Sequence, residues 1–73
     1  MTGISYLRLA SIARADGWDV LETPASIWFE REREQWRYDM HGKYIEDMRR
    51  CVRHKASASV AGAILRGVKR GSV

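Results

Sequence analysis

The stretch TPASIWFEREREQWRYDM, Thr23 to Met40, decides the fold, and it reads in two ways. Thr23-Pro24 has the form of a helix start: a hydroxyl to accept a free N–H, then proline at the first helical position, where no donor is missed. Ala25, Trp28, Phe29, Glu32, Trp36 and Met40 then fall on one side of a helix. The Glu30-Arg31-Glu32-Arg33-Glu34 run adds strong helix formers and two opposite-charge pairs three apart, Glu30–Arg33 and Arg31–Glu34. The second reading is a hairpin. Trp36, Tyr38 and Met40 alternate with Gln35, Arg37 and Asp39, the period of a half-buried strand, with Ser26 to Glu30 as its partner. His41-Gly42 then turns the chain into Lys43-Tyr44-Ile45.

The flanks favour helices. Ser5 to Ala15 places Tyr6, Leu9, Ala10 and Ala13 at helical spacing, and Asp16-Gly17 ends the run, because glycine takes a left-handed conformation without a Cβ clash. Trp18 to Glu22 reads as a short connector folded back on that helix. After Gly42, Tyr44, Ile45, Met48, Cys51 and Val52 occupy one sector of a helical wheel, with Lys43, Arg49, Arg50, Arg53 and His54 outside it. Ser57 or Ser59 can cap a last helix with Val60, Ala61, Ile64, Leu65 and Val68 as its buried stripe. The expected fold is an all-α, three-helix domain. Its alternative is α+β: helix, then a β-hairpin or three-stranded sheet, then helix.

With 73 residues, 45% hydrophobic and 30% charged, the chain suits one small globular domain over 1–73, with no linker and no internal repeat. A core of this size supplies only about 3–5 kcal/mol, so a partner or self-association would help. Cys51 is the single cysteine, which excludes an intramolecular disulfide and points to a reducing, cytoplasmic setting. No run reaches the ~18–20 apolar residues of a membrane span. Arg8 interrupts the apolar start that a secretion signal needs.

Charge is divided unevenly. Met1 to Gly42 carries five cations and seven anions, a net −2; Lys43 to Val73 carries eight and two, a net +6. No acid follows Asp47. Such an asymmetry speaks to partners rather than fold. Arg49, Arg50 and Arg53 would project from one helix, and Arg66, Lys69 and Arg70 would gather at the end of another. Arginine offers phosphate a planar fork, and each neutralised phosphate releases counterions, so these six are the expected contacts to DNA or RNA. Trp28, Trp36, Tyr38 and Tyr44, with Trp18, are side chains that stack bases or anchor a protein partner, and are equally core material in so small a domain.

Catalysis and metal binding find little support. Cys51 and His54 are three apart, yet the cysteine sits at the apolar edge and the histidine on the polar side, so neither a metal site nor a nucleophile pair is expected. Glu30, Glu32 and Glu34 each neighbour an arginine, which keeps them ionised rather than poised as acids. Gly62, Gly67 and Gly71 lack the following Gly-Lys-Ser/Thr of a phosphate loop. No cofactor is expected. The expected function is that of a small, basic, non-enzymatic nucleic-acid-binding accessory protein. The alternative is a phage or mobile-element protein that inhibits or adapts a larger, acidic-surfaced host protein through Trp28 to Tyr44. A homodimer through the same stripe is the third possibility.

Overall fold

A computed structural model describes residues 6–71, with side chains placed as far as Gly67. Its elements are α1 (Tyr6–Ala15), β1 (Asp19–Glu22), β2 (Ser26–Arg31), β3 (Glu34–Asp39), β4 (Tyr44–Asp47), β5 (Val52–Lys55) and α2 (Ala58–Gly71). The strands form one antiparallel sheet in the order β1-β2-β3-β4-β5. The three-helix expectation is therefore wrong, and so is the description of the protein as helical. The α+β alternative has the right outline, with five strands where a hairpin or three strands were foreseen.

Burial explains why the decisive stretch is extended. Strand alternation points Ile27, Phe29, Trp36 and Tyr38 to one face, and all four are buried at 4% exposure or less. A helix over the same residues would have left part of this apolar surface in water, at about 25 cal/mol per Å². The Glu/Arg run is a hairpin tip: Arg31 pairs with Glu34 across Glu32-Arg33. Thr23-Pro24 is not a helix cap but the β1–β2 turn. The Thr23 N–H donates to the Ser26 carbonyl at 2.8 Å, and the Ser26 N–H donates to the Thr23 hydroxyl at 3.0 Å.

The helix expected after Gly42 is also a hairpin, and two matching turns build it. Asp39 Oδ1 accepts the His41 and Gly42 N–H groups at 2.9 and 2.7 Å, and Lys43 then takes a φ of 55°. Eight residues on, Asp47 Oδ1 accepts the Arg49 and Arg50 N–H groups at 3.1 Å each, and Cys51 takes a φ of 57°. In each, the aspartate replaces backbone partners that a helix would have provided.

The helix ends match expectation. At α1 the Trp18 N–H donates to the Ala13 carbonyl at 3.0 Å and the Gly17 N–H to that of Arg14 at 3.1 Å, with Gly17 at φ 94°. That is a Schellman closure, which needs glycine at its left-handed position. At α2 the Ser57 hydroxyl accepts the Val60 N–H at 3.3 Å.

Both helices lie over one sheet face. Leu9, Ala10 and Ala13 of α1 and Ala61 and Leu65 of α2 share a core with Trp18, Ile27, Phe29, Trp36, Tyr38 and Ile45. Tyr38 is fully buried, and its hydroxyl donates to the Ala56 carbonyl at 3.0 Å, pinning β3 to the segment that leads into α2. Among the described residues the opposite face carries no helix.

Both turn aspartates titrate below the ordinary range. The Gly42 N–H, ahead of a smaller opposing cost of burial, holds the Asp39 carboxyl down. For Asp47, burial pushes the carboxyl up, and the Arg50 guanidinium together with the Arg50 and Arg49 N–H groups more than reverses it. A carboxyl lowered on folding stabilises the native state above its unfolded value of about 3.9 and loses that contribution as pH falls through the folded value. Thermal melts should therefore hold steady from neutral pH to about 5 and drop steeply below about 4. A melting temperature unchanged down to about pH 2 would show the turns do not depend on these charges.

Candidate functional site

The helix-free face is ordered by strand register. One row, Leu21–Trp28–Arg37–Glu46–Arg53, crosses all five strands, and a second, Ser26–Asp39–Tyr44–Lys55, runs beside it across four. Alternation puts these residues opposite the core, so Trp28 and Tyr44 are half-buried by neighbours rather than covered by a helix.

Arg37 organises the centre. Its guanidinium donates to the Tyr44 hydroxyl at 3.0 Å and to Glu46 at 3.4 Å, and lies 3.6 Å from Asp39. It also sits 5.8 Å from the Trp28 ring centroid and 5.6 Å from that of Tyr44, within cation–π range of both. Burial works against its charge, but the Tyr44 and Glu46 contacts and Asp39 raise its pKa further. Arg37 is thus a fixed strut between two rings. Arg53 also stands over the Tyr44 ring, 4.3 Å from its centroid. Gly42 leaves the room for this ring, since a Cβ there would meet it at 2.6 and 2.8 Å.

The cations of the β5 side are differently placed. Arg53 and Lys55 are exposed on β5, Arg49 is exposed in the turn before it, and Lys43 is exposed in the neighbouring turn, where its carbonyl accepts the Ala56 N–H at 2.9 Å. Among the described residues none of these four is ion-paired. They line one margin of the sheet with Tyr44 just inside it.

Of the six basic residues singled out from the sequence, the fold brings together Arg49 and Arg53. Arg50 is spent internally: its guanidinium donates to Asp47 at 2.7 Å and to Glu34 at 3.2 Å, clasping the β4–β5 turn to the β2–β3 hairpin. Arg66 is exposed on α2, away from the open face. The side chains of Lys69 and Arg70 lie outside the described residues. The six therefore do not form one surface. Of the aromatic candidates, Trp28 and Tyr44 face outward, whereas Trp36 and Tyr38 are core. Lys43, Lys55 and Arg37 were missed. The alternation of Val52-Arg53-His54-Lys55, read as a strand, would have placed Arg53 and Lys55 on one side.

Comparison with protein-family models, curated proteins and solved structures returned no match. Among the described residues no three His, Cys, Asp or Glu side chains are grouped to hold a metal ion. No described helix is long and apolar enough to cross a membrane. Cys51 is an exposed free thiol at its turn, not the packed residue that a helical wheel implied.

Proposed function

We propose that this protein binds single-stranded nucleic acid on the open face of its sheet, in the cytoplasm, without catalysing a reaction. Bases stack on Trp28 and on the face of Tyr44 that Arg53 covers in the free protein, and Arg53, exchanging that ring for a phosphate, joins Lys55, Lys43 and Arg49 along the β5 margin. The observation that carries this reading is the juxtaposition of outward-facing, half-buried rings with a line of cations that make no ion pair among the described residues. Single strands are held by that pairing of stacking surface and positive groove. Arg37 hydrogen-bonds the Tyr44 hydroxyl and lies within cation–π range of Trp28, which lowers the ordering cost of binding. Phosphate contact by C-terminal cations is retained from the sequence reading, but it moves from helices to a strand margin.

Four neutralised phosphates imply a log–log salt slope near −3, or about a fifty-fold loss of affinity between 50 and 200 mM salt. Fluorescence anisotropy with a short labelled oligonucleotide reads this directly. The R49A/R53A/K55A variant should reduce the slope by about 2, and Y44A should cost about 1–3 kcal/mol of stacking at any salt. R66A should bind as the parent does. Salt-independent binding, or none at 50 mM salt, removes the proposal.

A second reading rests on a different part of the face. Leu21 is 63% exposed beside Trp28, an apolar pair that suits a protein partner such as a larger host machine. Retention of a stoichiometric protein from host lysate after nuclease treatment would favour it over nucleic acid.

A further inference from the structure

The two free edges of the sheet differ in charge. β1 exposes Asp19, with Glu30 beside it on β2, and neither is ion-paired among the described residues. β5 exposes Arg53 and Lys55 on the same face, and no acid lies on that strand. A free edge presents unpaired N–H and C=O groups, and charge is the usual means of keeping like edges apart. Here the charges repel only like edges. With the helices kept on one side, two copies joined β1 to β1 oppose acids, and two joined β5 to β5 oppose cations. A β5 edge beside the β1 edge of another copy brings opposite charges together.

A second observation marks the same place. Between β1 and β2 the open face has a groove of about 220 Å³, lined by Asp19, Leu21, Trp28, Glu30 and Gln35 among others. An aromatic and aliphatic floor with two carboxylates at its rim suits the stem and head of a long cationic side chain. When β5 of one copy lies against β1 of the next in the same sheet, meander connectivity makes those strands parallel. Arg53 and Lys55 then stand on the face that holds the groove.

We infer that the protein associates head to tail with further copies of itself, the basic β5 edge of one adding to the acidic β1 edge of the next and its cations entering the Trp28 groove. The contact is heterologous, so it leaves a free edge at each end and propagates rather than closing a dimer. It does not rest on nucleic-acid binding, and its test contains no nucleic acid.

The test is sedimentation of nuclease-treated protein kept reduced, so that Cys51 cannot link copies. At low salt the mass should rise above the 8.4 kDa of one chain as concentration increases toward about 100 µM, a range suited to a small contact. It should return to one chain at about 0.5 M salt, where charges are screened within a few ångströms. D19K/E30K has two basic edges and R53E/K55E has two acidic ones. Each alone should remain monomeric, and an equimolar mixture should associate at least to pairs, through the native contact between the basic β5 edge of D19K/E30K and the acidic β1 edge of R53E/K55E. All four substituted residues are exposed, and circular dichroism verifies that both variants fold. A parent that stays monomeric at low salt overturns the inference. So does assembly by either variant alone, or a mixture of folded variants that stays monomeric.

Discussion

Tyr38→Ala is expected to leave the protein largely unfolded at room temperature. Tyr38 is fully buried at the centre of the sheet, its ring 6.0 Å from that of Tyr6 and its hydroxyl bonded to Ala56. Truncating a buried aromatic costs about 3–5 kcal/mol. A chain of this size holds only about that much in total. The Ala56 carbonyl loses its donor as well, and Ala56 is itself buried where the chain enters α2. Tyr38→Phe separates the two contributions: it keeps the ring and should cost about 1–2 kcal/mol for the lost hydrogen bond. Urea titration followed by circular dichroism measures both. If Tyr38→Ala melts like the parent, this side chain is not the keystone its burial implies.

The second large effect belongs to Asp47→Ala. Asp47 is 2% exposed, accepts the Arg49 and Arg50 N–H groups, and takes the Arg50 guanidinium at 2.7 Å. Hydrogen bonds to a buried charge are each worth about 1.5–3 kcal/mol, whereas the exposed Arg50 side of the pair is discounted because water can replace it. With two backbone N–H groups losing their acceptor, a loss of about 3 kcal/mol or more follows, concentrated locally. Cys51 holds a left-handed conformation that costs a non-glycine residue about 1–2 kcal/mol, and the turn keeps it there. Without Asp47 that restraint goes, and β5, an edge strand paired only to β4, should open first. Amide exchange on Val52 to Lys55 should accelerate more than exchange on β2 and β3. Oligonucleotide affinity should fall too, because Arg53 and Lys55 travel with β5. Asp47→Asn retains an acceptor for the turn and should lose less.

The helix boundaries were legible because their signals are local. Gly17 had to follow Ala15 for α1 to close, and Ser57 sits where a cap belongs. The middle misled for a physical reason: in residues 24–40 the large side chains coincide with helical spacing as well as with alternation, and Glu/Arg runs favour helix wherever no tertiary contact opposes them. Burial of Ile27, Phe29, Trp36 and Tyr38 together supplied that opposition. The β4–β5 hairpin did carry a sign in the sequence. Asp39-Met40 and Asp47-Met48 stand eight residues apart, each followed two and three residues on by the N–H groups the aspartate accepts. Without recognising that repeated turn, Tyr44 to Val52 looks like an amphipathic helix. The candidate face inherited the same error, because helical placement grouped Arg49, Arg50 and Arg53, whereas strand placement separates Arg50 and joins Arg53 to Lys55 and Tyr44.

The order of strands in the sheet is the order of strands in the chain, and every link between consecutive strands is four residues or fewer. Each pairing thus closes a short loop at small entropic cost, whereas the packing of α1 and α2 on the sheet and on each other, with the Tyr6–Met40 and Tyr38–Ala56 hydrogen bonds, joins distant parts of the polypeptide. Such a topology refolds quickly, within roughly a millisecond, and the docking of the two ends against each other sets the pace.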